Sequence, residues 1–100
     1  MMTERTSWAE IRDRRLDEPG GREAYHAGKL AYELGRSVRA LREQRSWSQS
    51  QLAVAAGMTQ SAVARFEAGG TIPSLLVVDR LAHALDAELT VSVTPRSDLA

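Results

Sequence analysis

Three residues near the middle of the chain carry side chains suited to recognition through hydrogen bonds, and a fourth, small one lies among them. Gln60 holds a donor and an acceptor side by side on one amide, Ser61 has a hydroxyl that both donates and accepts, and Arg65 offers a planar fork of donors, with the small Ala64 between them. On a helix these four share one face, while Val63 and Phe66 point the other way. Such a set recognises the edge of a partner. Residues for bond-breaking chemistry are missing: there is no Gly-rich phosphate loop, no Ser/His/Asp arrangement and no pair of carboxylates on a pocket-forming element. Cysteine is absent, which excludes thiol catalysis and the usual zinc knuckles, and His26 and His83 have no second ligand at metal spacing. The expectation is a binding protein without cofactor, metal site or catalytic residues.

The elements that must position these side chains can be read from Ser48 to Gly69. Ser48 and Gln51 stand in the S-x-x-Q relation of a capping box, so a helix begins there with Leu52, Ala53 and Ala56 on its inner face. Gly57 can end that helix in the left-handed conformation, and Thr59 can cap the next one, which carries Gln60, Ser61, Ala64 and Arg65 outward. Two short helices joined by a tight glycine turn are the pattern of a helix-turn-helix.

At 100 residues the chain holds one small domain plus an appendage. Formal net charge is zero, which alone argues against a nucleic-acid binder, but the signs are segregated. Residues 1–34 carry six basic and seven acidic groups, residues 35–70 five arginines against Glu43 and Glu67, and residues 71–100 two arginines against four acids. The positive excess coincides with the helix-turn-helix and the helix before it, where phosphate contacts would be needed. No signal-like or membrane-length apolar run is present, so a cytoplasmic protein with no membrane partner is expected.

Ahead of this centre, Ser7 and Glu10 form a second capping box, and Trp8, Ile11 and Leu16 give a short amphipathic leader helix. Asp17 to Gly21 reads as a hinge, dividing a leader at 1–21 from a domain at 22–100. From Arg22 to Arg45 a helical pattern returns with Leu30, Leu34, Val38 and Leu41 inward, weakened by Gly28 and Gly35, with a break possible near Gly28. Gly69 to Pro73 is a loop, and Ser74 caps a last helix with Leu75, Val78, Leu81, Ala82 and Leu85 inward. Over 88–94, Leu89, Val91 and Val93 alternate with polar residues, which predicts a β-strand. With no second strand in the chain, the pattern predicts pairing with the same strand of a second copy in a homodimer.

The stretch Ser48–Gly69 resembles the Cro/phage-repressor type of helix-turn-helix, the XRE family, with Gln49, Leu52-Ala53, Gly57, Gln60-Ser61, Val63, Phe66-Glu67 and Gly69 in register. Trp47 departs from it, since an aliphatic residue is more usual before the capping Ser. Taken whole, the order of elements resembles antitoxins of the HigA kind, helix-turn-helix repressors encoded beside a RelE/HigB-like ribonuclease toxin. The likeness includes Trp8, Leu16, Pro19 and Arg22 to Tyr25, then Tyr32 to Leu34, and the ending from Pro73 to Leu89. It implies a mainly α, lambda-repressor-like domain with a helical N-terminal extension and a C-terminal dimer strand. It also implies that Gln60, Ser61, Ala64 and Arg65 read bases of an inverted-repeat operator in double-stranded DNA. By the same resemblance Gln49 and Ser50 grip phosphate, Arg42 turns inward to pair with Glu67, and Trp8, Ile11, Leu16 and Tyr25 hold the toxin. Arg36, Arg39, Arg42 and Arg45 spiral round their helix at spacings of three and cannot all face DNA; Arg39 and Arg45 are the candidates for further phosphate contacts. A stand-alone phage-like repressor, or an interaction module that has lost DNA binding, are the alternatives.

Overall fold

The computed structural model describes residues 20–96, and in these four helices follow one another: α1 (Gly21–Gln44), α2 (Gln49–Ala56), α3 (Gln60–Ala68) and α4 (Leu75–Ala84). Trp8, Ile11, Leu16 and most of the Asp17–Gly21 segment lie outside the described residues. Gly20 itself stands in the left-handed conformation (φ 76°) immediately before α1.

Each short helix starts where its cap is written. The Ser48 hydroxyl accepts from the Gln51 amide at 3.1 Å, and Gln51 Oε1 accepts from the Ser48 amide at 2.7 Å, completing the reciprocal box. Thr59 and Ser74 accept in the same way from the Ala62 and Val77 amides at 3.1 and 3.2 Å. Gly57 ends α2 at φ 70° and Gly69 ends α3 at φ 73°, a conformation in which a Cβ would meet the following carbonyl.

α1 runs unbroken through both of its internal glycines, contrary to the break considered near Gly28. At Gly35 the reason is tertiary. A Cβ there would lie 2.5 Å from the Phe66 carbonyl oxygen and 2.8 Å from that of Glu67, so only glycine lets α1 lie against the end of α3. Gly69 matches it from the other side, where a Cβ would come within 2.8 Å of the Tyr32 Cα. The propensity cost of about 1 kcal/mol for a mid-helix glycine is offset by this close crossing.

The core gathers Val38 from α1, Leu52, Ala53 and Ala56 from α2, Val63 and Phe66 from α3, and Val78 and Leu81 from α4, closed by Leu85. Leu52, Val63 and Leu81 are wholly inaccessible; burying each contributes about 1.5–3 kcal/mol. Two residues expected inward are not. Leu30 is 48% exposed and Leu75, on the first turn of α4, is 61% exposed.

The segment expected as a strand is a correction. Residues 87–96 are neither helix nor strand, because a strand is defined by its ladder and no second one exists among the described residues. Leu89 is half-buried against the helical core, whereas Val91 and Val93 are 62% and 96% exposed. The alternating face is therefore divided: one residue packs on the bundle and two stand free of it.

Candidate nucleic-acid interface

α3 buries Val63, Phe66 and Glu67 and leaves Gln60, Ser61 and Arg65 exposed, with Ala64 half-buried. Each consequence follows from the helical period once Val63 and Phe66 enter the core. Gln49, on the first turn of α2, reaches this face: its Oε1 accepts from Gln60 Nε2 at 3.4 Å. Ser50 beside it is exposed. The positive end of α2 thus lies next to the outward residues of α3, an arrangement suited to an anion flanking a recognised edge.

Behind this face lies a buried ion pair. Arg42 Nε donates to Glu67 Oε2 at 2.7 Å and Nη2 donates to Oε1 at 3.0 Å, a bidentate fork, while Nη1 donates to the Trp47 carbonyl at 2.7 Å. One side chain therefore joins α1, the turn after it and the end of α3. The Glu67 hydrogen bonds hold the Arg42 guanidinium above its ordinary pKa, against the opposite pull of burial. Among the described residues no buried side-chain polar atom lacks a partner. Glu67 has one further donor: Gln49 Nε2 reaches Oε1 at 3.1 Å. Gln49 thus connects the buried pair to Gln60.

The other arginines of α1 differ from one another. Arg39 forms an exposed pair with Glu43, Nε to Oε2 3.0 Å. Arg36 donates to the Tyr32 hydroxyl at 3.1 Å and stacks 5.7 Å from its ring centroid; that hydrogen bond raises its pKa. Together with Ala40, Glu67 and Ala68 these side chains line a cleft of about 390 Å³ beside the C-terminal end of α3, roughly 12 Å along the helix from Gln60. Arg45 stacks 4.6 Å over the Trp47 ring and donates to the Leu85 carbonyl at 3.4 Å. Leu85 is the C-cap residue of α4, so the cation sits at the negative end of a helix. Trp47 fills the usually aliphatic position by offering Arg45 its ring.

Sequence reasoning missed the Gln49 bridge, since both Gln49 partners are distant in sequence, and it also missed the two arginine–aromatic stacks, although their members stand four and two residues apart. Tyr25, named by resemblance for the toxin, is half-buried near the start of α1. No group of three or more His, Cys, Asp or Glu side chains that could hold a metal stands among the described residues, nor is any helix there long and apolar enough to cross a membrane.

Two glycine-joined helices, the second presenting an amide, a hydroxyl and a guanidinium on a face backed by a buried ion pair, define a DNA-binding domain of the helix-turn-helix class. The chain belongs to the helix-turn-helix family of the Cro/C1 type, whose pattern matches residues 38–91, from the middle of α1 to beyond α4. No curated protein and no solved structure matches it.

Proposed function

We propose that the chain is a sequence-specific transcriptional regulator that binds an inverted repeat as a homodimer. The observation that carries this reading is the outward set Gln60, Ser61 and Arg65 on α3, joined through Gln49 to the first turn of α2. Gln60 pairs with adenine and Arg65 with guanine in the major groove, Ser61 adds a hydroxyl, and Ala64 meets a thymine methyl. Gln49 and Ser50 grip the phosphate beside them, with Arg39 and Arg45 adding charge further along the backbone. Two copies place their α3 helices in successive major grooves, about 10 base pairs apart or a multiple of that. Exposed Val91 and Val93, continuing from Leu89, supply the second copy's pairing edge.

Gel shifts on inverted repeats selected from random duplexes test this reading. Arg65→Ala should cost about 1–3 kcal/mol and relax the choice at one position, while Val91→Lys should turn the dimer into a monomer in sedimentation. Unchanged affinity and preference in Arg65→Ala would remove that residue from the reading set.

The finer role is that of a HigA-type antitoxin, whose leader at 1–21, through Trp8, Ile11 and Leu16, holds a RelE/HigB-like toxin together with Tyr25. Its support is the resemblance in the order of elements; the fold agrees equally well with a stand-alone repressor. Deleting residues 1–21 should leave operator binding intact and abolish neutralisation of such a toxin on co-expression. Undiminished growth would favour the stand-alone repressor.

A further inference from the structure

Glu67 is buried at the end of α3 farthest from Gln60, yet hydrogen bonds run between them without a gap. Its carboxylate takes both Arg42 donors, and its Oε1 also accepts from Gln49 Nε2 at 3.1 Å. Gln49 Oε1 in turn accepts from Gln60 Nε2 at 3.4 Å. The direction of this chain is dictated at its buried end. An ionised carboxylate has no proton to give, so Gln49 must face Glu67 with its NH2 group. The Gln49 oxygen is thereby turned to Gln60, which must answer with its own NH2. Turning either amide over would set oxygen against oxygen.

The consequence is felt at the base. A free glutamine amide has two nearly isosteric orientations, and they present donor and acceptor in opposite order. In the major groove an A·T pair and a T·A pair also present their donor and acceptors in opposite order along a fixed direction. With Nε2 committed on the Gln49 side, Gln60 offers its remaining N–H and its Oε1 in one order only. We propose that Glu67 is a positioning residue for base selection, acting through Gln49 to fix the polarity of the Gln60 amide and so the orientation of the A·T pair that is bound. This rests on the reading of Gln60 as a base contact. The Arg42–Glu67 pair then has two tasks, fastening α3 to α1 and polarising the amide at the other end of α3.

Selection by the full-length protein from a randomised duplex library, read by sequencing, tests the inference on Gln60→Ala, Gln49→Met and Glu67→Gln. The wild type should favour one orientation of A·T at a single position of each half-site by at least about fivefold, and Gln60→Ala should erase that preference. Gln49→Met, similar in length but without polar atoms, and Glu67→Gln, which can face Gln49 with either end of its amide, should both bring the ratio to within about twofold. The guanine preference owed to Arg65 should persist in both. Loss of a phosphate contact in Gln49→Met lowers affinity for all sequences alike, so the ratio at this position reads base choice alone. An orientation preference retained by either folded variant overturns the role of Glu67 and leaves Gln60 as a base reader. A wild type that selects no sequence, or a preference that survives Gln60→Ala, removes the base contact and the inference with it. Circular dichroism shows whether Glu67→Gln is folded; if it is not, Gln49→Met decides alone, because it leaves the Arg42–Glu67 pair in place.

Discussion

The two ends of α3 are built on opposite principles. At the C-terminal end Gly35 admits backbone within van der Waals reach, Gly69 turns the chain away against Tyr32, and Arg42 grips Glu67 with two hydrogen bonds. At the N-terminal end Gln60 and Ser61 are exposed, and the one link to Gln60 among the described contacts is the long bond to Gln49. A helix held rigidly at one end can be inserted by the other without ordering the whole domain on contact, which lowers the entropic cost of binding. Apart from the base choice assigned to Glu67, substitutions at the closed end should therefore show in stability, and those at the open end in affinity.

The largest effect should come from Arg42→Ala. It leaves Glu67 buried and charged with only Gln49 to donate to it, and it frees the Trp47 carbonyl. Removing one partner of a buried pair costs about 3–5 kcal/mol, a large share of the stability of a small domain, and urea unfolding monitored by circular dichroism measures it. If the midpoint stays near that of the wild type, the closed end does not depend on the ion pair.

Gly35→Ala comes next. Helix propensity alone would make this substitution stabilising by about 1 kcal/mol. The new Cβ would instead lie 2.5 Å from the Phe66 oxygen, and since that oxygen is backbone, α1 and α3 must separate. A net loss of about 1–3 kcal/mol is expected from such overpacking, seen as a lower thermal midpoint. A raised midpoint would mean that the helices slide apart freely.

How far these features could be read from the sequence depends on how local their causes are. The caps at Ser48, Thr59 and Ser74 and the glycine stop at Gly57 act within a few residues and were legible, while Gly69 was read as the start of a loop. Gly35 was read only as a weakness of α1, because its partner lies more than thirty positions away, at Phe66 and Glu67. Gln49 was legible as a first-turn residue but not as a bridge, because it meets Gln60 and Glu67 only when α2 and α3 pack. At 88–94 the alternation itself was visible, but its ladder needs a second strand, none stands among the described residues, and Leu89 is half-buried on the helices. The pattern of outward residues on α3 was clear from the spacing alone, and the partners of Arg36 and Arg39 stand four residues away on the same helix, whereas the contact of Arg45 with Leu85 required the packed structure.

Ser48→Ala sharpens the comparison from the open side. It removes the hydroxyl that accepts from the Gln51 amide and leaves the Gln51 side chain its own bond to the Ser48 backbone. A cost of about 1 kcal/mol in stability is expected. Because the cap also aligns the first turn of α2, where Gln49 and Ser50 stand, operator affinity should fall by more than Gly35→Ala lowers it in protein that is still folded. Equal losses would show that the first turn of α2 is not part of the interface.

The smallest effect on folding should be that of Arg39→Ala. Its bond to Glu43 joins two exposed side chains one turn apart, and such a pair contributes about 0.3–0.5 kcal/mol, less in salt. Chemical unfolding should hardly register the change. Binding should register it differently under the phosphate role proposed for Arg39, which stands with Arg36 in the cleft beside the end of α3. Losing a phosphate contact weakens binding to all duplexes alike and lowers the slope of log affinity against log salt by about one, leaving base preference untouched. Gel shifts over a salt series on the selected operator and on a scrambled duplex separate the two possibilities. A parallel loss on both duplexes with the shallower slope places Arg39 on the backbone of the DNA, whereas wild-type slopes on both would confine it to its pair with Glu43 and leave the cationic contribution to the other arginines of α1.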